Sequence, residues 1–444
     1  MTVLLFALLA SNILVPLAFV RRRCLTPEGI EVNHVLLFSL GFFIYWVLPI
    51  MLGLLRLFQD APAMALWYQI FDAIPETVLA VYLLVCLLCY FCFGAGSLAC
   101  GALFVNRAVE YREIVFDRQL LNIPLVAGVI IACIYAFVLR DQLFKGYTTD
   151  SIYLDTETRG AFTASSTFLL SVAMTYTVKW EETIRARLPF FRIILNRFFV
   201  AYFVVALLVL SLGGRLYLLS AVLMLLVYRT VYFRRFRLQA ALGLAALVIG
   251  LIGLAGLGRQ GINVSLGDLV LNLFVEPLFN SFSLIHFLAY GSLELLKFPI
   301  FLLSSLVNLV PTALFPGKLG FIANPEDYGY VAFSPIGALN SFFSFMINFG
   351  VIGTMLAFFF FSLWLQRLKT QRQTVLSKTV YVMVCGWLAT SFFRDNFSIS
   401  LVKVILQFSI LVPVSLVVGA NLVAQSLRGR EVASDPAAPG DSAG

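Results

Sequence analysis

The chain has 444 residues, of which 61% are hydrophobic and only 12% are charged. Soluble domains carry about a quarter charged residues because their surfaces face water, so this composition excludes an ordinary soluble globular protein. The net charge of +8 does not indicate a nucleic-acid partner, because the basic residues are spread over separate loops.

Apolar runs of about 20 residues recur along the chain, which is the length that an α-helix needs to cross a bilayer. Backbone groups in lipid must bond within their own segment, so these runs are predicted to be helices. The predicted fold is all-α, a polytopic integral membrane protein with about 11 transmembrane helices in one domain over 1–423. The predicted spans are 2–20, 34–56, 77–104, 122–140, 161–179, 198–212, 215–228, 238–257, 335–365, 379–393 and 398–423.

Lys and Arg are concentrated in alternate loops, and this pattern predicts the orientation, since such residues are retained on the cytoplasmic side. Of the 31 basic residues, 21 lie in 21–23, 107–118, 179–197, 229–237, 367–378 and 428–430, all on one side of the predicted spans. The other loops are neutral or acidic. The N-terminus is therefore predicted outside and the C-terminus inside.

We expect reporter fusions after Asp150 and after Asn324 to report an outside location. Fusions after Arg187 and after Lys369 should report an inside location, because these positions lie within basic loops. A swap between the two pairs would overturn the orientation and every site assignment that depends on it.

Two segments differ from the spans. Residues 258–334 are predicted to form a long, partly helical segment on the outer side, since they are too apolar for a solvated linker. Its run 278–296 carries His286 and Glu294, and we predict a re-entrant or interfacial helix there. Residues 424–444 are predicted to form a disordered cytoplasmic tail, because their end is rich in Pro, Ala, Gly and Asp.

Arg215 is the first candidate site residue. It follows Gly213-Gly214 between two short predicted spans of about 15 residues, or about 22 Å of helix against a core of about 30 Å. The turn should therefore lie below the outer surface. Arginine at membrane depth costs roughly 2.5–3.5 kcal/mol, so its default interpretation is functional. The alternative is a side chain that reaches the lipid headgroups.

Arg259 and Arg394 are the second and third candidates. Arg259 opens the long outside segment, and Arg394 lies in the outside turn between the last two predicted spans. Each alone is as well explained by a boundary anchor or a structural ion pair as by a functional site, although Asp395 is adjacent to Arg394 and is expected to be poorly placed to pair. Together with Arg215, they would form a bidentate clamp suited to phosphate.

Candidates for a general base are fewer. His286 is in the outside segment, although a lone histidine is more often structural; Glu276, Asp395 and Glu294 are the other candidates. With 2 histidines in the chain, no metal site and no cofactor are predicted. Cys86, Cys89 and Cys92 imitate a metal motif, but three thiols within a lipid-buried helix are interpreted as packing.

The chain resembles the Wzy-type polymerases that extend lipid-linked O-antigen and enterobacterial common antigen. The resemblance rests on local patterns in the right order over roughly 200–405, about half of the chain. They are Gly213-Gly214-Arg215, Arg259-x-Gly261-x-Asn263-Val264-Ser265, Val310-Pro311-Thr312-Ala313-Leu314-Phe315-Pro316-Gly317-Lys318, Ser334-Pro335-Ile336-Gly337 and the Arg394 turn.

The resemblance implies a metal-independent glycosyltransferase of the bacterial inner membrane. It would transfer a growing glycan from undecaprenyl diphosphate onto a lipid-linked repeat unit at the periplasmic face, together with a chain-length-regulating co-polymerase. Arg215, Arg259, Arg394 and His286 are the predicted catalytic residues. The predicted substrate-binding residues are Tyr328, Tyr330, Lys318 and Arg159; the two tyrosines are candidates for stacking on sugar rings, or else belong to the aromatic belt.

Two alternatives stay open. A sister glycan ligase would differ only in its acceptor, which these motifs do not reveal. A non-enzymatic flippase is expected to carry charged residues deep in several spans and internal repeats, and neither is apparent in the sequence.

Overall fold

The computed structural model describes residues 1–61, 64–103, 116–143, 156–184, 188–212, 214–233, 235, 237, 243, 266–310, 314–330, 339–370 and 374–434. Arg259, and the predicted span 238–257 apart from Gly243, lie outside these residues.

The described residues are mostly helical, and we number the helices in chain order. They are α1 (Thr2–Cys24), α2 (His34–Phe42), α3 (Leu48–Leu54), α4 (Ala65–Asp72), α5 (Glu76–Leu103), α6 (Asn122–Val138), α7 (Thr156–Ile184), α8 (Phe190–Ile194), α9 (Arg197–Ser211), α10 (Arg215–Tyr232), α11 (Leu266–Tyr290), α12 (Ile300–Ser305), α13 (Ser341–Thr370), α14 (Val375–Leu388), α15 (Ser391–Arg394) and α16 (Val412–Ser434). Wider π-helical turns occupy Phe43–Val47 and Ser398–Leu411, and 3-10 turns occupy Arg118–Leu121, Leu306–Leu309, Pro316–Phe321 and Pro325–Tyr328. Strands β1 (Leu25–Thr26) and β2 (Gly29–Ile30) pair in antiparallel orientation.

Within the described part of the chain, eight helical segments are long and apolar enough to cross a membrane. They are Thr2–Cys24, His34–Leu54, Glu76–Cys100, Arg118–Val138, Thr158–Ile184, Arg215–Tyr232, Ser341–Thr370 and Ser398–Ser426. The predicted spans 198–212 and 379–393 correspond to the shorter apolar helices Arg197–Ser211 and Val375–Leu388. A mostly helical, multi-pass membrane architecture is therefore supported as predicted, whereas the count of 11 stays a prediction.

Two predicted boundaries are wrong. The run 278–296 does not form one helix, because α11 ends at Tyr290 and residues 291–299 have no helical structure. Gly291 is suited to this end, since a Cβ atom there would overlap Phe287. The last helix continues to Ser434, past the predicted start of the disordered tail at residue 424.

Loops that the charge pattern assigns to one side meet at one end of the helix bundle, which we call the basic end. The Glu31 carboxylate is paired there with Lys369 and lies 3.9 Å from Arg235. Beside this pair, Thr230 accepts a hydrogen bond from the Val32 amide at 2.9 Å. These contacts join the α1–α2 connection to the C-terminal ends of α10 and α13. Arg215 begins α10, so it lies at the opposite end of the bundle.

Candidate functional site

Helices α9 and α10 form a hairpin whose apex carries Arg215, the first residue of α10. Gly214 is required at this apex because a Cβ atom there would overlap the Val209 side chain. The Arg159 guanidinium donates from Nη2 to the Leu212 carbonyl at 2.7 Å. This bond satisfies a carbonyl group that the end of α9 leaves without a helical partner. Two predicted site residues, Arg159 and Arg215, therefore lie at one apex.

The apex packs against the turn that follows α14. The Ser220 hydroxyl, one and a half helical turns after Arg215, lies 3.2 Å from the Thr390 hydroxyl. The rings of Tyr217 and Trp387 meet edge to face at 5.8 Å between centroids. Because Arg394 follows Thr390 by four residues, the first part of α10 and the Arg394 turn are neighbours at the same end of the bundle.

Arg394 makes an ion pair that the sequence did not predict. Its Nη1 lies 3.6 Å from Asp395 Oδ1, so the expectation that Asp395 is poorly placed to pair is wrong. The pair forms because α15 ends at Arg394 and Asp395 adopts an extended conformation. The Ser391 hydroxyl donates to Asp395 Oδ2 at 2.5 Å, which fixes the carboxylate. The Arg394 side chain is 27% exposed, so part of it faces the surroundings.

A buried amide network holds the backbone of this turn. Asn280 Nδ2 donates to the Arg394 carbonyl at 2.6 Å, and Asn340 Nδ2 donates to Asn280 Oδ1 at 2.9 Å. The Asn340 side chain also donates to the Tyr45 carbonyl at 2.9 Å. The backbone amide of Asn340 donates to the Ser283 hydroxyl at 2.9 Å. Both asparagine side chains are fully buried. Sequence reasoning missed them; the available signal was an amide side chain within an apolar run, which must find partners.

Helix α13 is broken at Gly350, where φ is 65° and ψ is −170°. The two amide groups after Gly350 lose their helical acceptors and donate instead to the carbonyls of Glu294 and Leu295, each at 2.9 Å. The Lys297 amide donates in turn to the Phe349 carbonyl at 3.2 Å. We call residues 291–299 the strap, since this non-helical segment bonds to the broken helix. Broken helices of this kind are tolerated in membranes where protein supplies the missing partners.

The predicted general bases have different surroundings. His286 lies on α11 with its ring 4.8 Å from that of Tyr290. Partial burial lowers the pKa of the His286 imidazole, which favours the uncharged ring that a proton acceptor requires. The Glu294 side chain is half exposed, whereas that of Asp395 is 13% exposed. The Glu276 side chain, like Arg259, lies outside the described part of the protein.

The two candidate tyrosines lie on either side of Gly329, whose left-handed conformation ends a 3-10 turn. Both rings meet Phe301 edge to face, with centroid distances of 5.2 Å for Tyr328 and 6.1 Å for Tyr330. The Lys297 ammonium lies 4.5 Å from the centroid of Tyr330. Tyr328 is 51% exposed, so it offers the more accessible ring of the two.

Lys318 is buried within the same connecting segment. Its ammonium donates to the Val310 carbonyl at 2.8 Å, and the residue is 6% exposed. In this position, its charge is directed at the protein's own backbone, at a residue eight positions earlier in the chain. A role for Lys318 in substrate binding stays a prediction.

The arrangement places cationic side chains at the end of the bundle opposite the basic end. Guanidinium groups present fixed donors to oxyanions and keep their charge at every physiological pH. Among the described residues, no group of three or more His, Cys, Asp or Glu side chains is placed to hold a metal ion. The chemistry that this end supports is recognition of an anion by arginine, with carboxylate and imidazole groups in the neighbouring segments.

Comparisons of the chain with protein-family models, with curated proteins and with solved structures give no match.

Proposed function

We propose that the protein is a glycosyltransferase that joins undecaprenyl-diphosphate-linked oligosaccharide repeat units and releases undecaprenyl diphosphate. The observation that carries the proposal is the hairpin apex, where Arg159 binds the Leu212 carbonyl and Arg215 begins the next helix. The apex packs through Ser220 against the turn of Arg394. Three arginines on neighbouring elements at one bundle end suit a diphosphate that must be held while its charge increases.

The reaction needs little from the protein beyond this positive charge. A hydroxyl of the acceptor sugar attacks the anomeric carbon of the donor, and the bond from that carbon to the diphosphate oxygen breaks. The electron pair leaves on the diphosphate, where fixed arginine donors stabilise the developing charge. The hydroxyl proton passes to a base, which contributes about 10²–10⁴-fold in such reactions. His286, Glu294 and Asp395 are the described candidates.

The location follows from the same proposal. Basic loops mark the cytoplasmic side of a bacterial inner membrane, so the end with Arg215 and Arg394 would face the periplasm. The isoprenoid chain of the substrate would lie between lipid-facing helices, with its diphosphate at the outer interface. A chain-length-regulating co-polymerase is the expected protein partner.

The proposal is tested with the purified protein in detergent, supplied with lipid-linked repeat units extracted from the organism that makes the protein. We expect a ladder of longer lipid-linked glycans on a gel, together with release of undecaprenyl diphosphate. Chelating agents should not reduce the yield, because no metal takes part in the proposed step.

The same assay separates the alternatives. A ligase would leave the repeat units unextended and form product only when lipid A core is added as acceptor. A flippase would form no new glycosidic bond in detergent, where the two sides of a membrane are absent. Either result would contradict the polymerase proposal.

A further inference from the structure

The strap carries an ion pair that none of the predicted roles explains. Glu294 Oε1 and Lys297 Nζ are 2.7 Å apart, and the Lys297 side chain is 15% exposed. Glu294 and Lys297 lie on either side of a bend at Leu295, and this bend brings their side chains together. The hydrogen bonds between the strap and the broken helix hold this bend, because the backbone of both residues takes part in them.

The ion pair has aromatic neighbours. The Lys297 ammonium covers Tyr330, and Phe301 contacts both Tyr330 and Tyr328. The loop that carries the tyrosines is attached to α12 through the Ala323 amide, which donates to the Ser304 hydroxyl at 3.0 Å. The cluster therefore joins the strap, α12 and the 314–330 loop in one surface. Its accessible groups are the half-exposed Glu294 carboxylate and the Tyr328 ring.

We infer that Glu294, Lys297 and Tyr328 form a saccharide-binding subsite for the acceptor glycan; this inference rests on the proposed function. A paired carboxylate and ammonium carry no net charge, so they do not favour an anion as the Arg215 apex does. They present both acceptors and donors, which is what neutral sugar hydroxyls require. The Tyr328 ring adds an apolar face with a polar edge, suited to the face of a sugar ring.

The pair also has a purely structural interpretation, in which it only attaches the strap to Tyr330. The two interpretations differ at Tyr328, because this ring contacts Phe301 by its edge and is half exposed. In the structural interpretation, the exposed Tyr328 ring belongs to the aromatic belt at the membrane surface and binds no sugar. Binding measurements on Tyr328 variants therefore decide between the two interpretations. Because the ring is half exposed, its replacement should affect folding little.

The experiment measures binding of soluble oligosaccharides to the full-length protein in detergent by saturation-transfer NMR. The probe is the oligosaccharide released from the host's lipid-linked repeat units by mild acid, so no lipid or diphosphate is present. We expect Tyr328→Ala to weaken binding about tenfold and Tyr328→Phe to retain it, since the ring is the contacting group. Glu294→Gln should also weaken binding, with its melting temperature recorded to detect any loss of folded protein.

Phe321→Ala is the matched control, because Phe321 is an exposed aromatic residue of the same loop that contacts Phe315 instead. Its binding should equal that of the unmodified protein. Inorganic diphosphate should not displace the oligosaccharide; displacement would identify an anion site and overturn the inference. Unchanged binding by Tyr328→Ala, or no binding by the unmodified protein, would do the same. If binding depends on Tyr328 but the protein forms no polymer, the subsite inference is supported and the polymerase proposal is contradicted.

Discussion

Replacing Arg215 with lysine is expected to reduce polymer formation by about 10²–10³-fold, even though the positive charge is kept. Arginine binds phosphate oxygens through a planar, two-pronged donor, whereas lysine is a compact point charge. Helix α10 fixes the backbone position from which the Arg215 side chain extends, since Arg215 is its first residue. Arg215→Ala should be at least as damaging, because it removes the charge as well.

The measurement is glycan length on a gel from a strain that lacks the native gene and carries each variant. Membrane content of every variant is determined in parallel, so that a folding defect is distinguished from a catalytic one. Arg192→Ala is the control, because Arg192 is an exposed arginine of α8, a helix outside the proposed site. Long glycan from a well-expressed Arg215→Ala variant would show that this residue only anchors the hairpin. The proposed anion site would then rest on Arg394 and the predicted Arg259.

Gly350→Ala is expected to destabilise the folded protein strongly. The backbone conformation at Gly350 belongs to a region that is nearly restricted to glycine, and occupying it costs of order 1–3 kcal/mol. An added Cβ atom would also lie 2.7 Å from the Glu294 carbonyl oxygen and 2.8 Å from the Leu296 nitrogen. Such overpacking costs typically about 1–3 kcal/mol more, because the strap backbone has to move.

Thermal unfolding of the detergent-solubilised protein measures this effect through the fraction that remains monodisperse after heating. Gly419→Ala is the matched control, since Gly419 is a helical glycine whose added Cβ atom would meet nothing within 4 Å. Replacing a helical glycine by alanine is favourable by up to about 1 kcal/mol, so this control should be neutral or slightly stabilised. Equal melting of the two variants would contradict the structural role assigned to the helix break.

The break also shows why hydropathy could not predict the membrane topology in full. The predicted span 335–365 is a continuous apolar run, and nothing in its composition distinguishes Gly350 from other glycines in helices. The partners that stabilise the break are carbonyl groups of Glu294 and Leu295, more than fifty positions earlier in the chain. The same contact explains why 278–296 was wrongly predicted as one helix, since its last part leaves the helix and bonds to α13.

The candidate site was likewise only partly predictable from the sequence. Loop charge predicted that Arg215 and Arg394 belong to the same end, because the positive-inside tendency acts on each loop separately. The ion pair of Arg394 with Asp395 and the support from Asn280 were not predictable. Asn280 lies 114 positions before Arg394, and the Ser220–Thr390 contact joins residues 170 positions apart.

By itself, the sequence determined that this is a multi-pass helical membrane protein, and it identified arginines in the non-basic loops as site candidates. Both follow from local properties, namely the length of apolar runs that lipid requires and the charge of each connecting loop. Only the tertiary structure decided which candidates are neighbours, where α13 breaks, and that Lys297 and Glu294 meet beside Tyr328. These features depend on backbone and side-chain partners that lie far apart in the chain, because buried polar groups take whatever partner the packing of the helices brings to them.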